Sequence, residues 1–367
     1  DYLNNGFDFI CLGEGEKTLT EFCSEVLNDT RKWESILGLV YKHGTKVIIN
    51  KPRNLMSEHE LDKNDFSAYQ KIDPRYLAMN VEVIRGVPLR TGMILTTRGC
   101  PYSCSFCGCP SIFGSKLRFR PLDSIDKEIA YLKKHFQIEG VWIVDDTFTV
   151  NRSHALNVAK ILKKHNIIWG CQSRVDGLSD SFVQDLKASG LVQIDLGVES
   201  GSQRILDKII MKRTKIEDII QAFALTKKYK IRSLANFMIG LPTETMEDFN
   251  ATKMLAKKIK SDVYVFSIAT PLPGTRLFDM VNEEITPLDY ALLDWNGSRL
   301  TDRINKSEIK NISDERNRLK RNYLIRSAFY SMFSFQALSI FLKRGHRIER
   351  LKSIFSFIFE MILPAKK

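Results

Sequence analysis

Between residues 92 and 268, short apolar runs alternate with segments of helical spacing. Met93-Ile94-Leu95-Thr96-Thr97 opens the series as a strand, and helical spacing follows from Ser124 to Phe136. Val141–Val144 is the second strand, with a helix predicted over Arg152–His165. Ile167–Cys171, Val192–Val198, Leu234–Ile239 and Val263–Ile268 supply four more strands. Between them, helices are predicted over Asp180–Ser189, Ile216–Tyr229 and Met246–Ile259, with a short one near Gln203–Lys208. Strands that are apolar on both faces and rich in β-branched residues belong in a parallel sheet buried between layers. Six βα units are too few for the eight-unit barrel. An open, partial (βα)6 barrel of the α/β class is expected, with its active face at the carboxyl ends of the strands.

The flanks read differently. Phe7–Leu12 is a short apolar run ending in Gly13-Glu14-Gly15-Glu16, and Lys17–Leu27 has helical spacing through Leu19, Phe22 and Val26. Leu39–Ile49 reads as a hairpin turned at Gly44-Thr45. Residues 51–90 are polar and read as a linker lying against the next domain. After residue 280 the pattern becomes helical, over Asp314–Phe341 and again over Leu351–Leu363. Tyr323–Leu342 approaches the length of a bilayer span, but Arg326 and several Ser and Gln residues interrupt it. It reads as a packed helix, with a membrane-surface helix as the alternative. The expected division is 1–50, a linker over 51–90, a core barrel over 91–280 and a helical region over 281–367.

Composition narrows the class. Hydrophobic residues make up 44% and charged residues 27%, so disorder, collagen and disulfide-scaffold readings fall away. The formal net charge is +12, which permits an anionic partner without choosing among nucleic acid, an acidic membrane face and a phosphate-bearing substrate. Asp1 opens the sequence and no charged-then-apolar leader follows, so the expectation is a piece of a longer chain without a signal peptide. The seven cysteines are an odd number, and Cys100, Cys104, Cys107 and Cys109 fall together. That reads as a metal site in a reducing, cytoplasmic compartment.

Cys100-Pro101-Tyr102-Ser103-Cys104-Ser105-Phe106-Cys107 is CxxxCxxC, placed directly after the first barrel strand. Three thiolates in one loop can hold three irons of a 4Fe-4S cluster. The fourth iron is then open to bind an amine and carboxylate and to pass on an electron. A structural zinc site is the alternative, with Cys109 as a fourth ligand only two residues from Cys107, a tight loop for tetrahedral coordination. Cys109 otherwise reads as a bystander thiol. No GxSxG or Walker-type loop occurs. The histidines are dispersed, and His154 and His165 are expected to face solvent.

Cys100, Cys104 and Cys107, opening a six-unit βα series, resemble the radical S-adenosylmethionine (SAM) superfamily. The resemblance covers about residues 90–275. It implies that the open iron chelates the methionine part of SAM. The reduced cluster then cleaves SAM to a 5′-deoxyadenosyl radical, which abstracts hydrogen from substrate. It implies that Phe106 lies beside the adenine, that Asp145 and Asp146 receive the SAM amino group, and that Arg174 meets its carboxylate. It places Glu199 on the ribose hydroxyls with Ser200 as neighbour. It makes Met238, Ile239 and Gly240 part of an adenine-contacting segment, and Pro271–Thr275 the closing edge of the barrel mouth.

Phe7–Thr20, with its Gly-Glu-Gly-Glu, looks like the last strand and helix of the cobalamin-binding domain that precedes the core in one large subfamily. Residues 1–50 would then be a remnant of that α/β domain plus the hairpin. Members of that subfamily methylate carbon or build rings on large hydrophobic substrates. The DxHxxG-type loop that places a histidine under cobalt is absent here, and the first histidine is His43. The resemblance implies a small-molecule substrate and a one-electron reductant such as flavodoxin or ferredoxin, and the aromatic content of the tail beyond residue 280 points to a lipid-like substrate. It leaves peripheral membrane contact through the tail open and does not call for nucleic acid. A tRNA methylthiotransferase-like enzyme and a non-enzymatic metal-binding module remain the alternatives.

Overall fold

The structure is a computed structural model that describes residues 6–62, 65–73, 87–281 and 305–332, with isolated residues between and beyond them. Its strands are β1 (Phe9–Cys11), β2 (Leu39–His43), β3 (Lys46–Ile49), β4 (Met79–Asn80), β5 (Leu89–Ile94), β6 (Thr97–Arg98), β7 (Arg118–Phe119), β8 (Gly140–Ile143), β9 (Ile168–Arg174), β10 (Leu191–Glu199), β11 (Arg232–Ile239) and β12 (Val263–Ile268). Its helices are α1 (Glu16–Leu27), α2 (Cys109–Phe113), α3 (Leu122–Phe136), α4 (Arg152–Lys164), α5 (Asp180–Ala188), α6 (Ile216–Lys228), α7 (Met246–Ile259), α8 (Arg276–Asp279) and α9 (Ile312–Met332).

The large sheet has the order β12-β11-β10-β9-β8-β5-β4. Its first six strands are parallel, and β4 pairs antiparallel with the foot of β5. This is the expected six-strand partial barrel. Side chains alternate across it. Ile143, Cys171, Ile194 and Ala235 point outward into a core shared with Ile129, Leu162, Phe182 and Phe223 of the covering helices. Their neighbours Gln172, Asp195, Gly197 and Asn236 point to the concave side and line a cavity. Each buried Ile, Leu or Phe of the outer layer stabilises the fold by about 1.5–3 kcal/mol.

The helices begin where sequence chemistry lets them. Asn151 caps α4 by accepting the His154 N–H at 2.9 Å. Thr245 and Asp248 form a reciprocal capping box at the start of α7. The short helix expected near 203–208 is a single π turn over Ile205–Ile209. Strand β5 starts four residues before its predicted onset. Arg90 and Gly92 hide its pattern, although Leu89 and Thr91 are buried.

The expected N-terminal strand and the expected hairpin join into one antiparallel sheet, β1-β2-β3. It has its own small core of Ile36, Leu39 and Tyr41 against Phe9, Phe22 and Trp33. Segment 51–90 is more than a spacer. It carries 3-10 turns at Glu60–Asp62 and Phe66–Lys71, and Tyr69 donates its hydroxyl to Glu128 of α3 at 2.6 Å. Helix α9 lays Tyr323 against Tyr264 of β12, with ring centroids 4.0 Å apart. The predicted continuation of this helix past Met332 and the helix over 351–363 lie almost wholly outside the described residues. Among the described residues, no helix is long and apolar enough to cross a membrane.

Candidate active site

The loop from β5 to β7 carries the cysteines. Gly99 has φ 88°, and a Cβ there would collide with the Lys116 carbonyl, so only glycine turns the chain this way. The Cys100 N–H then donates to Gly114 O at 3.2 Å. Ser105 is fully buried and anchors the loop from below. It donates through N to Ile210 O at 2.8 Å and through Oγ to Ile209 O at 2.6 Å, and its carbonyl accepts from Leu277 N at 2.8 Å. Cys100, Cys104 and Cys107 line a cavity of about 390 Å³, together with Phe106, Asp146, Arg174 and Glu199.

Among the described residues, no three His, Cys, Asp or Glu side chains converge as a single metal ion requires. Cys100, Cys104 and Cys107 border one cavity, and three cysteine thiols are a donor set of the kind that holds a 4Fe-4S cluster. Each sulfur has a donor beside it, and for Cys100 this is the Tyr102 backbone N–H. The Cys109 N–H lies 3.4 Å from Cys107 Sγ, and Arg174 Nη1 lies 3.5 Å from Cys104 Sγ. Burial raises all three thiols above the usual cysteine range, while Lys212 and Arg174 pull Cys104 back. Cys109 is no bystander. It is buried at the start of α2, and its thiol donates to Asp146 Oδ2 at 3.0 Å.

Several expected contacts need correction. Asp145 does not face the cavity. Its buried carboxylate accepts from Thr96 N at 2.6 Å, Thr96 Oγ1 at 2.5 Å and Thr97 Oγ1 at 2.9 Å, tying the end of β8 to the end of β5. Burial, partly offset by those donors, raises it to about 6. His154 is buried rather than solvent-facing, with Nε2 3.2 Å from Thr96 Oγ1, and burial lowers it to about 4. Ser200 is fully buried behind the strand end, 3.2 Å from Thr252 Oγ1 and accepting the Ser202 N–H. Arg174 presents no free fork: Nε and Nη2 both serve Asp176, and Nη2 also reaches Lys212 O and Thr214 Oγ1. Only Nη1 is turned toward the cysteines, with the guanidinium stacked 3.8 Å from the Tyr102 ring centroid.

The backbone after β11 is also engaged. The N–H groups of Gly240 and Leu241 both donate to Glu244 Oε2, at 2.6 and 3.0 Å, and Gly240 O accepts from Asn305. Ile239 points into the core. Met238, two residues from cavity-lining Asn236 and paired in register with Ser267, shares the concave face.

Sequence reasoning missed Lys212. It is 5% exposed, and its ammonium donates to Glu199 Oε1 at 2.8 Å and to Gly197 O at 2.6 Å. Strand β10 shifts register between Gly197 and Glu199, and Glu199 takes a left-handed backbone with φ 66°. That kink turns the carboxylate into the cavity, a conformation sustained by its ion pair. A Cβ on Gly197 would collide with both Glu199 Oε1 and Lys212 Nζ. Lys212 itself sits between Met211 and Arg213, which both have positive φ. Neither is a glycine, so the sequence carries no turn signal there.

The profile of the Radical SAM superfamily matches residues 94–256. The chain is 32% identical over 328 residues to the uncharacterized methyltransferase PH0819 of Pyrococcus horikoshii, covering 89% of this chain and 67% of that one. It is 27% identical over 293 residues to the anaerobic magnesium-protoporphyrin IX monomethyl ester cyclase of Rubrivivax gelatinosus, covering 77% of this chain and 50% of that one. Among solved structures, the radical SAM methyltransferase TsrM from Kitasatospora setae, with cobalamin and a [4Fe-4S] cluster bound, aligns with TM-score 0.61 at 21% identity. The alignment covers 77% of this chain and 55% of that one and shows a shared fold. The chain thus spans between about half and two thirds of the length of these relatives. With the match to PH0819 extending along most of both chains and the cysteine loop opening a six-strand partial barrel, the chain belongs to the radical SAM superfamily.

Proposed function

We propose that this chain is the core of an enzyme that cleaves SAM reductively and directs the radical chemistry to a carbon of a small molecule, ending in methylation or ring closure. The observation that carries the reading is the gathering of Cys100, Cys104 and Cys107 on one cavity at the strand ends. When bound, a 4Fe-4S cluster supplies the electron that splits SAM into methionine and a hydrogen-abstracting radical.

The chain's own residues prepare that event. The three thiols hold the cluster, and the donors of Cys109 N and Arg174 Nη1 favour sulfur in its anionic form. Asp146 receives the SAM ammonium, and Cys109 orients its carboxylate. Arg174, immobilised by Asp176 and Thr214, offers Nη1 to the SAM carboxylate. Glu199 takes the ribose hydroxyls from its ion pair with Lys212. Phe106 and Met238 supply apolar surface for the adenine, since the N–H groups of Gly240 and Leu241 are spent on Glu244. Asp145 and Ser200 hold the strand ends.

Cobalamin does not fit the described residues. The N-terminal sheet is small and antiparallel, and His43 is exposed at the end of β2. The electron comes from a one-electron reductant such as a flavodoxin or ferredoxin. The aromatic tail that points to a lipid-like substrate and to contact with a membrane surface lies mostly outside the described residues.

The test is anaerobic reconstitution with iron and sulfide, followed by dithionite and SAM. The expected product is 5′-deoxyadenosine. Iron-replete protein that forms none would overturn the reading, and protein that takes up zinc without iron or sulfide would favour a metal-binding module.

A further inference from the structure

The Gly13-Glu14-Gly15-Glu16 motif takes no part in the cavity, yet Glu14 is only 6% exposed. Its Oε1 accepts from Arg98 Nη1 at 3.0 Å and from Arg118 Nη1 at 2.9 Å. Its Oε2 accepts from Arg118 Nη1 at 2.9 Å and from Met56 N at 2.7 Å. Burial opposes its ionisation, but the donors of Arg118, Met56 and Arg98 outweigh burial and hold the carboxyl below its usual range.

The two arginines are not arbitrary partners. Arg98 and Arg118 are register partners in the β6–β7 pair. The chain leaves that pair at Arg98, passes through all three cavity cysteines and α2, and returns at Arg118. Arg118 is 5% exposed; its Nη2 donates back into the loop, to Phe113 O at 2.7 Å, and its Nη1 also donates to Met56 O at 2.7 Å. Arg98 also reaches Glu16 through Nη2, and its guanidinium lies 5.7 Å from the Phe113 ring centroid. Two guanidiniums thus meet at the neck of the cysteine loop, and the Glu14 carboxylate lies between them. Remove it and two like charges share a buried space, one of them without a counter-ion, which is among the costlier defects a fold can carry.

We propose that Glu14 is a positioning residue for the cysteine loop, clamping its neck through Arg98 and Arg118 and thereby tying the N-terminal sheet to the site. The catalytic consequence rests on the reading that this loop holds the cluster. The clamp itself is a property of the polypeptide and can be measured without iron.

The experiment is hydrogen exchange on the iron-free full chain. In Glu14→Gln, peptides within 98–118 should exchange roughly a hundred-fold or more faster, the expected effect of unpairing a buried charge, while α4 and α5 keep their protection. The signature of a charge clamp is the double variant Glu14→Gln with Arg98→Gln. Relieved of repulsion, its loop should recover protection relative to the single variant. Glu14→Asp, which keeps the charge at shorter reach, should fall between wild type and Glu14→Gln, and serves if Glu14→Gln does not fold. Unchanged exchange in the loop, a rise spread evenly along the chain, or a double variant more exposed than the single one would each overturn the proposal. Reconstituted Glu14→Gln should also surrender iron to a chelator faster than wild type, and equal rates would sever the clamp from the cluster. Wild-type protein that takes up no iron would count against the proposed function and leave the exchange result standing.

Discussion

Two buried ionic groups flank the cysteine loop, and they differ in one respect. At the neck, Glu14 has both carboxylate oxygens occupied by Arg98, Arg118 and Met56, and the cavity of about 370 Å³ that Arg98 borders holds none of the cysteines. On the other side, Arg174, Glu199 and Lys212 are just as buried, but they line a cavity of about 390 Å³. Arg174 spends Nε and Nη2 on protein and turns Nη1 toward a sulfur. The contrast separates structure from chemistry. A saturated buried charge holds the chain in place, and a buried charge with a donor left facing a cavity can bind a ligand.

Substitutions on the cavity side should cost the most. Cys104→Ser should abolish 5′-deoxyadenosine formation and lower the iron content of reconstituted protein, since two thiolates cannot hold the cluster as three do; iron and nucleoside assays read both. Arg174→Lys keeps the charge but loses the planar fork that Asp176 and Thr214 grip. It should weaken SAM binding by roughly 10–100-fold, in line with the loss of a buried charge-assisted contact, as measured by equilibrium dialysis. Unaltered affinity would move Arg174 into the purely structural class.

Glu244 gives a smaller, pH-dependent effect. Burial, partly offset by the Leu241 and Gly240 N–H groups, raises it to about 7. Its folded value lies above the unfolded one, so the native state binds the extra proton between about 4.5 and 7. The wild type therefore loses stability as pH rises through that window. Glu244→Gln should lack this loss, gaining on wild type in Tm from pH 5 to pH 8; a constant Tm difference would contradict the assignment. Smallest of all, Lys17→Met breaks the ion pair to Glu60, whose partners are partly exposed. It should change stability by about 0–1 kcal/mol, and the cysteine loop should keep its exchange protection.

The barrel was legible in the sequence because its strands are apolar on both faces and its helices amphipathic, so period and length decided each element. The cysteines were legible because their spacing is chemistry in itself. Asp146, Arg174 and Glu199, which the resemblance singles out at strand ends, all line the cavity. What failed was direction. Asp145 and Asp146 are adjacent, so they point opposite ways, and the sequence does not say which one faces the cavity. Lys212 was invisible because its approach depends on a register shift in β10 and on two left-handed residues that are not glycines. The Gly13–Glu16 turn was visible, but its partners lie about 40 to 100 residues away along the chain, beyond the reach of any local pattern.

The central claim is that three thiols leave one corner of a cluster free for SAM. Electron paramagnetic resonance of the reconstituted, reduced protein tests it most directly. The expected result is a reduced-cluster signal whose line shape changes when SAM is added and stays changed at saturation. A signal indifferent to SAM, from protein holding about four irons and four sulfides per chain, would contradict it.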